Sequence, residues 1–178
     1  MKRCLTIALL LSLLAGLPAL AETSSDANLL PAPDEVAALT GEAEPEAGVT
    51  VWFEEGFGLS IPEGWVSYPV QAADQAEGVR YALGDGSGER FLFIQLKPTA
   101  LRNADALSSA IEGEDGLTKT GELSFGGNRF VAFIDLAQNA SCCATIWGDR
   151  LAVFMFTPQS DADFMLTATQ LMQTFAIP

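Results

Sequence analysis

The sequence predicts an α+β fold, with a central antiparallel sheet flanked by helices as an α/β/α sandwich, preceded by a signal peptide and a disordered tether. Three observations carry that expectation. Apolar runs meet repeatedly at short Gly, Asn and Asp turns, the pattern of consecutive antiparallel hairpins. The strongest hairpin, residues 140–158, reads ASCCATIWGDRLAVFMFTP, with Gly148 and Asp149 between its arms. In the second arm Leu151, Val153 and Met155 point one way and Ala152, Phe154 and Phe156 the other, since side chains alternate along a strand. A strand apolar on both faces is covered on both, so this hairpin belongs at the centre of a sheet between two layers. Two amphipathic helical stretches supply those layers.

The chain begins Met1-Lys2-Arg3, continues apolar from Leu5 to Leu17 and closes on Pro18-Ala19-Leu20-Ala21. A basic start, an apolar run and a small-x-small end describe a secretory signal peptide, residues 1–21, cleaved after Ala21. The run is too short for a bilayer span, which needs about 20 apolar residues. Cys4 falls within the removed segment, so no membrane or lipid anchor is expected after cleavage. Removing 21 of 178 residues leaves 157, the size of one domain. Lys2 and Arg3 leave with the signal, so the 9 basic residues fall to 7 against 23 acidic, a net charge of −16. Such a surface repels phosphate, which excludes nucleic acid and anionic membrane as expected partners. The alanine-rich acidic composition and the export signal together point to a bacterial periplasm.

Residues 22–48 hold three prolines and seven carboxylates with no lysine or arginine, and read as an acidic disordered tether. A single domain, residues 49–178, follows. VTVWF, FGLSIP and WVSYPV read as strand, turn and strand around Glu63-Gly64. VRYAL and FLFIQL pair through GDGSGE, a turn-forming loop that opens a strand, whereas a phosphate loop opens a helix. Asn103 caps a helix carrying Leu107, Ala110 and Ile111 on one face and ending at Gly113. LTKTGELSF and RFVAFIDL form the next hairpin through Gly126-Gly127-Asn128. After residues 140–158, Ser160 is placed to cap a last helix, with Asp163 three places on, whose stripe is Phe164, Ala168, Leu171, Met172 and Phe175.

The run Gly58-Leu59-Ser60-Ile61-Pro62-Glu63-Gly64-Trp65, a strand closing on Pro-x-Gly-Trp, resembles the opening of the PsbP-like superfamily. Leu171, Thr174 and Phe175 are similar to the signature that ends its last helix. The superfamily includes photosystem II extrinsic subunits, a nuclear-import factor acting on Ran and bacterial DcrB-type periplasmic proteins. The resemblance implies an antiparallel sheet sandwiched by helices and a role in binding or assembly without catalysis. It carries over no functional residue, because members share no catalytic set, and this chain lacks the lipoprotein cysteine of many bacterial members.

Chemistry-bearing residues are few. The chain has no histidine, which excludes His-based triads, His-ligated zinc and the commonest general base. No catalytic residue, metal ligand set or cofactor is expected. Cys142 and Cys143 are adjacent thiols in an exported chain, and three readings of them stay open. Alternation along a strand sends them to opposite faces as small core fillers. A vicinal disulfide demands a distorted backbone, because neighbouring Cα atoms lie about 3.8 Å apart and ordinary bridges want more. A soft-metal site would recruit Met155, Met165 or Met172. Finally, the 126–128 and 148–149 turns fall at one end of the sheet. That places Arg129, Trp147 and Arg150 near one another as a candidate partner-binding patch. The leading expectation is an exported binding or assembly module acting on a periplasmic protein. The alternative is a thiol-based redox or soft-metal-handling protein built on the two cysteines.

Overall fold

The computed structural model describes residues 48–178; the expected signal peptide, residues 1–21, and, apart from Gly48, the expected tether lie outside the described residues. In chain order the elements are β1 (Val49–Trp52), β2 (Gly58–Ile61), β3 (Val66–Tyr68), α1 (Ala72–Ala76), β4 (Val79–Gly84), β5 (Phe91–Pro98), α2 (Ala104–Glu112), β6 (Leu117–Phe125), β7 (Asn128–Asp135), β8 (Ala140–Trp147), β9 (Arg150–Thr157) and α3 (Ala162–Gln173). Seven strands form one antiparallel sheet in the order β3-β4-β5-β9-β8-β7-β6, and β1 and β2 form a separate two-stranded ribbon. The two-faced strand β9 occupies the middle of the seven, paired with β5 on one side and β8 on the other.

Each face of β9 enters its own core. Ala152, Phe154 and Phe156 join Leu92, Ile94 and Phe130 beneath α3 and the β1–β2 ribbon. Leu151, Val153 and Met155 join Val131, Phe133 and Cys142 beneath α2. Sequence period explains both contacts. In α3 the buried residues are Phe164, Ala168, Leu171 and Met172, spaced three or four apart on one face, while Leu166 stays exposed. In α2 Leu107 and Ile111 do the same, and burying such side chains stabilises the helix by roughly 1.5–3 kcal/mol each. Asn103 caps α2 by accepting from the Ala106 backbone N–H at 2.9 Å.

Turn chemistry sets the strand order. Gly126 and Gly127 both take positive φ, the type I′ pattern that matches strand twist. At the 148–149 turn Gly148 alone does so, at φ 63°, joining Trp147 directly to Arg150 across the ladder.

Three sequence expectations are corrected. A third helix, α1, stands beside the two expected; its five residues bury none of their side chains and are too few to show a helical period. The cap of α3 is Asp161, whose side chain accepts from Phe164 N–H at 3.0 Å, so Ser160 lies one residue too early. The first three apolar runs are not one unit. β1 and β2 cover the α3-side core as a ribbon of their own, while β3 forms the outer edge of the large sheet.

Candidate functional site

The C-terminal tail builds the floor of the site. Thr174 Oγ1 donates to the Leu171 carbonyl at 2.7 Å and accepts from Ser60 N–H at 2.8 Å, tying the end of α3 to β2. Two residues on, the Ala176 and Gly58 backbones exchange hydrogen bonds of 3.0 and 2.8 Å. Phe175, held between these ties, meets the rings of Phe57, Phe130, Trp147 and Phe154 at centroid distances of 5.2 to 5.9 Å. Phe57 is stacked on it and the other three are edge-to-face, the arrangements that ring quadrupoles favour. The residues that resemble the family signature are therefore the fastening of the ribbon to the sheet.

Above that floor, the loop joining β1 to β2 folds over the end of β8. Phe53 and Phe57 close the loop backbone to backbone at 2.9 Å, and Gly56 takes φ 87° within it. Trp147 donates its indole N–H to the Glu55 carbonyl at 3.0 Å, and Tyr81 donates its hydroxyl to the Glu55 carboxylate at 2.7 Å. Partial burial, then the bond to Glu55 and its charge, push the Tyr81 hydroxyl up to about 12, so it remains a donor. Between the loop and the 148–149 turn lies an open cleft of about 450 Å³ lined by Glu54, Glu55, Trp147, Gly148, Asp149 and Arg150.

Trp147 and Arg150 thus share one cleft. Among the described residues Arg150 reaches only Asp149, at 3.9 Å with both side chains well exposed, a pairing that holds the guanidinium weakly. Arg129 lies on the opposite face of the sheet. Its guanidinium bonds Asp105 of α2 at 2.9 Å and Glu122 of β6 at 2.7 Å, which raises its pKa further. The turns do share one end of the sheet, but Phe130 points toward α3 and its neighbour Arg129 points toward α2. Glu54, Glu55 and Tyr81 escaped sequence reasoning. Glu-Glu-Gly marks a turn, yet nothing in the sequence says that this turn lands on Trp147, 92 residues away.

The two thiols point to opposite faces of β8. Cys142 lies opposite Phe133 and Met155 in the α2-side core, and Cys143 opposite Ala132 and Phe154 in the α3-side core. Both are free and buried. Burial pushes Cys143 up to about 12 and Cys142 well above the ordinary thiol value, with the Asp135 charge adding to the latter. The thiolate, which is the nucleophile and the metal ligand, is suppressed at both. Among the described residues no group of three or more His, Cys, Asp or Glu side chains is placed to hold a metal ion. Among them, too, no helix is long and apolar enough to cross a membrane.

Comparison with solved structures finds the same architecture in the cyanobacterial PsbP, CyanoP, of Synechocystis sp. PCC 6803, with a TM-score of 0.51. The match spans 78% of this chain and 96% of that one at 13% identity, so the fold is PsbP-like. No family model matches the chain, and no curated protein sequence matches it.

Proposed function

We propose that the domain is an exported, non-catalytic binding or assembly module that engages a periplasmic protein partner through the Trp147–Arg150 cleft. The observation that carries this reading is the cleft itself: an aromatic ring and a loosely held guanidinium side by side between two turn tips. Tryptophan and arginine are the residues that most often dominate the energy of protein interfaces, because one supplies large rigid area and the other a planar donor fork. The rim of three carboxylates, Glu54, Glu55 and Asp149, selects against acidic surfaces and favours a partner offering basic or neutral donors. The PsbP-like fold adds support of a general kind, since the family resemblance implies accessory, non-catalytic roles.

Site-specific photocrosslinking in the native host tests the reading. A photoreactive residue at Asp149, 90% exposed, should trap one predominant protein. The same residue at Leu136, which is exposed at the opposite end of the sheet, should not. Combining Trp147→Ala with Arg150→Ala should reduce the Asp149 adduct at least tenfold, since losing one hot-spot side chain costs about 2 kcal/mol or more. Equal adducts from positions 149 and 136, or an adduct indifferent to the double substitution, would refute the cleft as the docking site.

A further inference from the structure

The two edges of the seven-stranded sheet differ. At one edge β3 contributes three residues; at the other β6 contributes nine. Proteins guard long edges with bulges and charges, because unpaired backbone N–H and C=O groups recruit foreign strands. In β6 the bulge lies in the first half, and the charged side chains Lys119 and Glu122 share one face. A bulge at Thr120 breaks the register between Lys119 and Gly121. Lys119 and Glu122 are drawn toward α2 and β7, where Lys119 bonds Glu112 at 2.8 Å and Glu122 bonds Arg129 at 2.7 Å. Beyond the bulge, Gly121, Leu123 and Phe125 lie opposite Ala132, Phe130 and Asn128 on the α3 side of the sheet and carry no charge. Leu123 is 42% exposed there, a large apolar side chain at a strand edge.

This five-residue segment, Gly121-Glu122-Leu123-Ser124-Phe125, is complementary to itself. In an antiparallel pair centred on Leu123, that residue meets its own copy, Phe125 meets Gly121 of the second chain, and Glu122 meets Ser124 of the second chain. Phe125 packs edge-to-face on its own Phe130 at 5.4 Å and is only partly buried; space above Gly121 is open, with nothing within 4 Å of where a Cβ would sit, so the uncovered part of the ring has somewhere to lie. A phenylalanine across from a strand glycine covers exposed backbone, and a serine hydroxyl can donate to the facing carboxylate. The register keeps the two Glu122 carboxylates from facing each other. We propose that β6 is a homodimerisation edge, in which Gly121–Phe125 pairs antiparallel with the same segment of a second copy and joins two sheets into one of fourteen strands.

The contact is small, and the net charge of the chain, −14 for the full sequence, opposes it. Association is therefore weak and strengthened by salt. The test is sedimentation of the chain as its host processes it, from about 1 μM to 1 mM in about 0.5 M salt. A concentration-dependent dimer is expected. Leu123→Lys and Leu123→Glu, at a position exposed enough to fold with either, should each weaken it at least tenfold, because like charges then face across the two-fold axis. An equimolar mixture of the two variants should restore a heterodimer, which only the Leu123-to-Leu123 register explains. A wild-type chain monomeric throughout, a dimer that survives both single substitutions, or a mixture that fails to associate would each overturn the proposal. The Asp149 crosslink reads the cleft independently, so failure of one reading leaves the other standing.

Discussion

Replacing Phe175 by alanine tests whether the tail fastens the ribbon and shapes the cleft. Phe175 is 3% exposed and touches four other rings, at 5.6 Å from Phe57, 5.2 Å from Phe130, and 5.9 Å from both Trp147 and Phe154. Truncating a buried phenylalanine costs about 3–5 kcal/mol through lost transfer energy and the cavity left behind. Here the upper half of that range applies. Three of the neighbouring rings, Phe130, Trp147 and Phe154, belong to β7, β8 and β9, which the sheet fixes and which cannot close on the gap, and ring pairs each add about 0.5–1.5 kcal/mol beyond area. A loss of about 4 kcal/mol follows. With an unfolding entropy near 2.1 cal/mol/K per residue over roughly 130 residues, that lowers the melting temperature by about 15 °C. Urea unfolding reads the same quantity as a fall in midpoint at unchanged slope. Phe175→Leu, which refills most of the volume but lacks a ring face, should lose only about 1–2 kcal/mol. A loss below about 1 kcal/mol for Phe175→Ala would show that the ring cluster does not hold the ribbon down.

Two further outcomes follow from backbone and thiol environments. Gly126 and Gly127 both have positive φ, but a Cβ on Gly126 would stand 2.8 Å from the Phe175 carbonyl while one on Gly127 meets nothing within 4 Å. Each alanine substitution carries about 1–2 kcal/mol of left-handed strain. Gly126→Ala should therefore be the more damaging by at least about 1 kcal/mol in urea unfolding; equal losses would mean the tail yields freely. Cys142 and Cys143 should resist alkylation in the folded domain and react fully in denaturant, as peptide mapping would show. Because their folded pKa values are raised, each contributes stability that is intact below the ordinary value of 9.0. For Cys143 that contribution is lost as pH rises through about 12. Cys143→Ala should shallow the alkaline decline in this window. An unchanged slope would place the thiol in water.

Periodic and local features of this fold were legible in the sequence, because each is decided within a few residues. The two-faced alternation of Leu151 to Phe156 located the central strand, the three-and-four spacing from Phe164 to Met172 gave the buried face of α3, and Asn103 announced its helix. Errors arose where period or reach ran out. Five residues of α1 cannot display a helical repeat, and Ser160 and Asp161 are equally good caps until the first helical turn is placed. The first apolar runs read as one strand-turn-strand unit; that β1 and β2 instead pair with each other apart from the sheet, with Gly58 exchanging backbone hydrogen bonds with Ala176, is decided by contacts far along the chain.

The site was half legible for a reason that parity makes plain. Antiparallel order correctly brings the 126–127 and 148–149 turns to one end, but order alone leaves open which face each side chain takes. Arg129 follows the parity of Val131 and falls beneath α2, whereas Trp147 follows Cys143 and falls beneath the ribbon. One residue of register thus separates an arginine paired with Asp105 and Glu122 on the α2 face from Arg150, which shares the cleft with Trp147. The acidic half of the cleft needed longer reach still. Glu55 meets Trp147 only because Phe53 and Phe57 are both buried in the α3-side core and draw their loop over the end of β8. The cleft is therefore a product of packing between segments nearly a hundred residues apart. Substitutions that loosen that packing, Phe175→Ala among them, should weaken the Asp149 crosslink without touching a residue that lines the cleft.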